Sequence, residues 1–173
     1  MKARRFFVCV GASAALLLIG AATSLAGAPD EAGAVVIEFN AAVSSRSLDK
    51  ATSYFAPGSV QFSLRPSHTG LGAQRPDLTA DLRAHWSMIG PVLFAATKAY
   101  TRKAEIIGSR TEGDIATVWA RITTETVRAD KPGTTRDSFV ELYLLVRKDG
   151  TWKIGAMADN RSPNDVGLGG GKP

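Results

Sequence analysis

His85 and Asp159 are the two side chains in this sequence best suited to proton-transfer chemistry. His85 falls on an apolar stripe with Leu78, Leu82 and Ile89, beside Trp86, so a helix here would turn the imidazole inward. Asp159 closes a mostly apolar strand pattern over residues 151–159. A carboxylate that meets an imidazole orients it and raises its pKa, and such a pair works as a general base. Two other readings of His85 stand beside this one: a core histidine satisfied by a backbone carbonyl, and a partly exposed rim residue. His68 sits in a Gly/Pro-rich loop and reads as solvated, with a lid role as the alternative. Two histidines, one in a loop and one on a helix, do not make a zinc site without further ligands. Trp86, Trp119 and Trp152 read as core or interface fillers. Asp159-Asn160-Arg161 reads as a strand-end turn with Arg161 solvated, and anion binding by Arg161 as the alternative. Phosphate loop, dinucleotide fingerprint and nucleophile elbow are all missing from the sequence. The expectation is a protein with no cofactor and no metal.

These side chains need elements to hold them. Residues 32–44 place Val35, Val36, Phe39, Ala42 and Val43 on one stripe of an amphipathic helix. Ser47 is placed to cap a short second helix carrying Leu48, Ala51 and Phe55, ended by Pro57-Gly58. Residues 59–64 read as a first strand and the polar residues 65–76 as an ordered loop long enough to be a lid. A third helix is expected over residues 77–89, stopped by Gly90-Pro91. The remainder is strand-rich: residues 97–108, 114–128, 137–147 and 151–159, with turns at residues 130–133 and at Asp149-Gly150. Helices followed by an antiparallel meander define an α+β domain with the helices on one sheet face.

The N-terminus reads as a signal peptide over residues 1–26. Lys2, Arg4 and Arg5 are its basic end, residues 6–22 its apolar run, and Ser24-Leu25-Ala26 its cleavage site. An uncleaved anchor is the other reading, although the run is short for a bilayer span. The chain carries 21 basic and 16 acidic residues, formally +5; without the three basic residues of the leader it is 18 against 16, or +2. That balance gives nucleic-acid binding little support. Cys9, inside the leader, is the one cysteine, so the mature domain would have no thiol chemistry and no disulfide. The expected organisation is a leader over 1–26, one domain over 27–163 and a flexible tail over 164–173. Its location would be exported, periplasmic or extracellular, with no membrane association once the leader is cleaved.

The stretches VVIEFNAAVSSRSLDKATSYFAPGSVQF and LYLLVRKDGTWKIGAMAD, with DLRAHW between them, resemble the nuclear-transport-factor-2-like superfamily, and within it SnoaL-like and ketosteroid-isomerase-like bacterial domains. The likeness covers residues 30–161 and implies a cone: about three N-terminal helices on a curved, mainly antiparallel sheet. It also implies positions. The oxyanion-hole tyrosine of the ketosteroid isomerases falls on Phe39, their base near Ser63, and their late-strand acid on Leu142, one residue from Glu141. None of the three groups is kept, unless the register slips by one at Glu141, so that chemistry is not expected.

If Asp149-Gly150 is a two-residue loop, Leu142 faces Met157, Leu144 faces Gly155 and Val140 faces Asp159 on one side, while Tyr143, Leu145, Ile154 and Ala156 take the other. By the resemblance, the first side lines the cone. The leading expectation is a domain that binds a small, largely apolar molecule through Phe39, Phe62, Ser63, Trp86, Leu142 and Met157, with His85 and Asp159 supplying polar groups. The alternatives are a cofactor-free isomerase, cyclase or hydrolase using His85 and Asp159, and an interaction module that forms a homodimer through the outer sheet face.

Overall fold

A computed structural model describes residues 30–63 and 78–160, and among these it gives three helices on one face of a curved six-stranded sheet. The expected leader, the loop with His68, Arg161 and the tail lie outside the described residues. The elements are α1 (Glu31–Ser44), α2 (Leu48–Ser53), β1 (Phe55–Ser63), β2 (Leu78–Ala80), α3 (Leu82–Ala95), β3 (Thr97–Glu112), β4 (Ile115–Arg128), β5 (Thr134–Lys148) and β6 (Thr151–Asp159). Strand order is β2-β1-β6-β5-β4-β3. β1 runs parallel to β6 and every other neighbouring pair is antiparallel.

α1 forms on the predicted stripe, with Val36, Phe39, Ala42 and Val43 buried against the sheet. Asp30 caps it by accepting from the Gly33 N–H at 2.7 Å, and its other oxygen accepts from Ser109 Oγ at 2.8 Å, which ties the helix start to β3. At the far end Ser44 Oγ accepts from the Arg102 N–H at 2.7 Å and lies 2.8 Å from the Arg102 carbonyl. β3 is an edge strand, so this hydroxyl satisfies backbone groups that no neighbouring strand reaches. Asp30→Ala removes both the cap and the strand tie and is expected to cost about 1–2 kcal/mol in urea unfolding.

Three boundaries and one cap differ from expectation. Phe55 does not extend α2; it opens β1, and the strand carries through Pro57 and through Gly58 at φ +71°. Ser47 stands at the N-cap of α2 but makes no side-chain cap bond. Leu78 lies in β2, paired with Phe62, rather than on the third helix. That helix does not stop at Gly90-Pro91 but runs through Pro91 to Ala95. Its last turn is held from outside: Arg46 donates to the Phe94 carbonyl at 3.1 Å and Thr97 Oγ1 to the Leu93 carbonyl at 2.8 Å. Gly90 lets this helix close on α2, since a Cβ there would stand 2.8 Å from Leu48 Cδ1. Packing and capping thus override the proline's local preference.

The β5–β6 hairpin decides which side chains face the helices. Asp149 and Gly150 both have positive φ (51° and 73°), the two-residue turn expected from the Asp-Gly pair. The predicted pairing holds from Lys148↔Thr151 to Leu145↔Ile154 and then shifts by one, because Gly155 has no cross-strand partner and forms a bulge. Beyond it Leu144 pairs with Ala156, Tyr143 with Met157, Leu142 with Ala158 and Glu141 with Asp159. The expected inner face is corrected: Phe139, Glu141, Tyr143 and Leu145 of β5 are buried on the helix side and Leu142 and Leu144 are on the outside, and the bulge brings Met157 and Asp159 onto the face of Tyr143 and Glu141.

Candidate functional site

Four aromatic rings meet above the sheet. Phe39 of α1 stands 5.2 Å from Phe55, 5.7 Å from Trp86 edge-on, and 6.4 Å from Tyr143. Such tilted and edge contacts add to the stabilisation from burying the rings. Met157 is buried beside them on β6.

A closed polar cluster lies under this aromatic group. Arg102 reaches in from β3, donating through Nε to Asn40 Oδ1 and through Nη2 to Glu141 Oε2. The Tyr143 hydroxyl donates to the same Glu141 oxygen and accepts from Asn40 Nδ2 at 3.1 Å. Asn40 Nδ2 also donates to the Val36 carbonyl at 2.8 Å. The guanidinium stacks on the Phe139 ring at 5.6 Å. All four polar side chains are buried, Glu141 with only 1 % of its surface exposed. Burial opposes the Arg102 charge, but the field of Glu141, helped by Tyr143 and Tyr100, more than offsets it and holds the guanidinium above its ordinary pKa. Burial first, then the Glu141 charge, push the Tyr143 phenol far above its usual range against the pull of Arg102 and Asn40.

Glu141 has a second carboxylate directly across from it. The Asn160 N–H donates to the Val140 carbonyl at 3.2 Å, which makes 140/160 the hydrogen-bonded pair and 141/159 the non-hydrogen-bonded one. In such a pair the Cα atoms approach to about 4.5 Å and the side chains are closest. Asp159, 9 % exposed, accepts from Gln61 Nε2 of β1 at 2.9 Å. Two acids thus share one end of the helix-facing surface, and β1 supplies an amide to one of them.

The tyrosines provide a check. Burial, then the hydrogen bond and charge of Glu38, push the Tyr54 phenol up to about 12. Absorbance at 295 nm during alkaline titration should show Tyr54 ionising near that pH and Tyr143 only as the chain unfolds. Unfolded tyrosine ionises near pH 10. The neutral phenols therefore contribute their full stability below about pH 10 and lose it as pH rises further. Tyr143→Phe should flatten that alkaline loss.

The predicted site residues divide between the two faces. Phe39, Trp86, Met157 and Asp159 are buried on the helix side. Phe62, 46 % exposed, pairs with Ala158 and shares the outer face with Leu142, so neither joins the aromatic group. Ser63 pairs with Asp159 at the end of β1. His85 is half-buried in α3, its backbone N–H donating to the Asp81 carbonyl. Sequence reasoning did not single out Asn40, Arg102 or Tyr143, and left Glu141 off the inner face. The available signal was Gly155, since an isolated glycine within a strand pattern marks a bulge. Among the described residues no group of three or more His, Cys, Asp or Glu is placed to hold a metal, and no helix is long and apolar enough to cross a membrane.

Three helices on a curved, mostly antiparallel sheet, with a buried polar cluster beneath aromatic rings, give the chain the nuclear-transport-factor-2-like fold. No protein-family description and no curated protein matches the chain. Solved structures do. It is similar to a ketosteroid isomerase-like protein from Erwinia carotovora atroseptica SCRI1043, at 16 % identity and TM-score 0.58 over 75 % of this chain and 92 % of that one. It is also similar to a nuclear transport factor 2-like superfamily protein from Salmonella enterica serovar Typhimurium LT2, at 14 % identity and TM-score 0.54 over 80 % and 93 %. A hexachlorocyclohexane dehydrochlorinase matches at 10 % identity and TM-score 0.58 over 72 % and 78 %.

Proposed function

We propose that this is an exported domain whose helix-facing sheet surface binds a small, largely apolar molecule. The observation that carries the reading is the pairing of an aromatic wall (Phe39, Phe55, Trp86, Tyr143) with a polar end built from Glu141 and Asp159 on the same face. Ligand sites of this type combine apolar walls with a few convergent polar groups. Export rests on the leader pattern of residues 1–26.

The test is thermal unfolding of the full chain with ethylbenzene as probe. The binding reading predicts a rise in the unfolding midpoint that persists in His85→Ala. No rise at saturating probe would contradict it. A second reading, a cofactor-free enzyme with His85 and Asp159 as acid and base, is favoured by the burial of Asp159 and by fold neighbours named as an isomerase-like protein and a dehydrochlorinase. It requires that His85→Ala abolish any turnover.

The interaction reading draws on the outer face. Gly108, Trp119, Leu142, Ala158, Phe62 and Leu78 form one cross-strand row over all six strands, with Trp119, Phe62 and Leu78 exposed. Ion pairs Arg121–Glu105 and Arg136–Glu125 flank it. An apolar centre with a charged rim is the anatomy of an interface between copies of the chain. Trp119→Lys should halve the particle mass in light scattering if the face holds a dimer, and leave it unchanged otherwise.

A further inference from the structure

Among the described residues two buried polar side-chain atoms have no hydrogen-bond partner, Ser59 Oγ and Trp86 Nε1. Each belongs to a side chain more than nine-tenths buried, Ser59 at 1 % and Trp86 at 7 % exposed. A buried donor left unmatched is expensive, which is why such atoms are few in folded proteins and each calls for an explanation. Trp86 belongs to the aromatic group, and Ser59 follows one of that group's residues along β1. Trp86 meets Phe39 edge-on, and Phe39 lies against Phe55, four residues before Ser59 on β1. Arg83, one turn before Trp86, donates to the Phe55 carbonyl at 3.1 Å and fastens α3 across this strand. Ser59 alternates with Gln61, whose amide reaches the helix-side Asp159.

We infer that Trp86 Nε1 and Ser59 Oγ are the recognition atoms for a neutral hydrogen-bond-accepting oxygen on the bound molecule, so that the ligand is a small ketone, ether or ester rather than a pure hydrocarbon. The inference rests on the binding reading above and gives its ligand a chemical class. An indole N–H donates and cannot accept, so the group opposite it must accept. A serine hydroxyl also donates, so an accepting oxygen suits it as well. The charge of the surface sets the remaining condition. Glu141 and Asp159 lie on this face of the sheet with Arg102 as the cation bonded to Glu141, and Arg102 is already committed to that bond and to Asn40. An anionic ligand would meet two carboxylates, whereas a neutral oxygen accepts two hydrogen bonds without bringing charge into a buried site.

The experiment compares a matched pair of probes, acetophenone and ethylbenzene, by titration calorimetry or ligand-observed NMR on the full chain and on Trp86→Phe and Ser59→Ala. An apolar wall without donors would favour ethylbenzene, the less water-soluble of the two. The expected result is a preference of about tenfold for acetophenone in the wild type, the effect of one to two good hydrogen bonds. That preference should disappear in Trp86→Phe and shrink in Ser59→Ala, with ethylbenzene affinity little changed. Ser59→Ala should also raise the unfolding midpoint of the free protein by removing an unmatched hydroxyl. Equal affinity for the two probes, or a preference that survives in both variants, would overturn the inference and leave the binding reading standing. Binding of neither probe would sink the binding reading itself. If Trp86→Phe fails to fold, the Ser59→Ala preference decides.

Discussion

Arg102→Met is expected to cost the fold about 3–5 kcal/mol, read as a lower midpoint in urea unfolding followed by circular dichroism. The reason is asymmetry. The intact pair has already met the cost of leaving water, because Arg102 serves Glu141 and Asn40 and stacks on Phe139. Removing the guanidinium alone leaves a carboxylate with 1 % of its surface exposed and, among the described residues, only the Tyr143 hydroxyl donating to it. Replacing both partners, as Arg102→Met with Glu141→Leu, removes the stranded charge and should recover a large part of the loss. Recovery stays incomplete, since Asn40 Oδ1 and the Tyr143 proton lose their partners as well. The double-mutant cycle should therefore show a coupling energy of several kcal/mol. Additive single and double variants would mean that the cluster is not a unit.

Phe39→Ala is the second large expected effect, also about 3–5 kcal/mol. Phe39 is fully buried and touches the rings of Phe55, Trp86 and Tyr143, so its loss opens a space between α1, α3 and strands β1 and β5. The surrounding rings are held by their own elements and will collapse only in part. An apolar space of that kind stays dry and accepts an aromatic molecule. Ethylbenzene should therefore raise the midpoint of Phe39→Ala by more than it raises that of the wild type.

Much of the architecture was legible locally. The α1 stripe, the meander and the Asp149-Gly150 turn follow from periodicity and turn chemistry, and they appear where expected. The site was less legible because it depends on one unpaired residue. A single bulge at Gly155 changes the phase of β6 against β5, so that Met157 and Asp159 share a face with Tyr143 and Glu141 rather than with Leu142, since strand side chains alternate with a period of two. The partners were hidden for another reason. Asn40 lies on α1 and Arg102 on β3, and 62 positions of separation close into one hydrogen bond. Nothing local announces that contact. The continuation of α3 through Pro91 was unreadable in the same way, because Arg46 and Thr97 hold its last turn from other elements.

The position of the polar end follows from the shifted register, and thiol labelling tests that register most directly. In a Cys9→Ser background, Leu142→Cys and Met157→Cys each introduce one cysteine. The shifted register puts residue 142 on the outer face and residue 157, 2 % exposed, beneath the helices. The predicted result is that Cys at 142 reacts with an aromatic disulfide reagent at least about tenfold faster than Cys at 157 in the folded chain. Equal rates, as expected if 142 and 157 faced each other on one surface, would contradict the account.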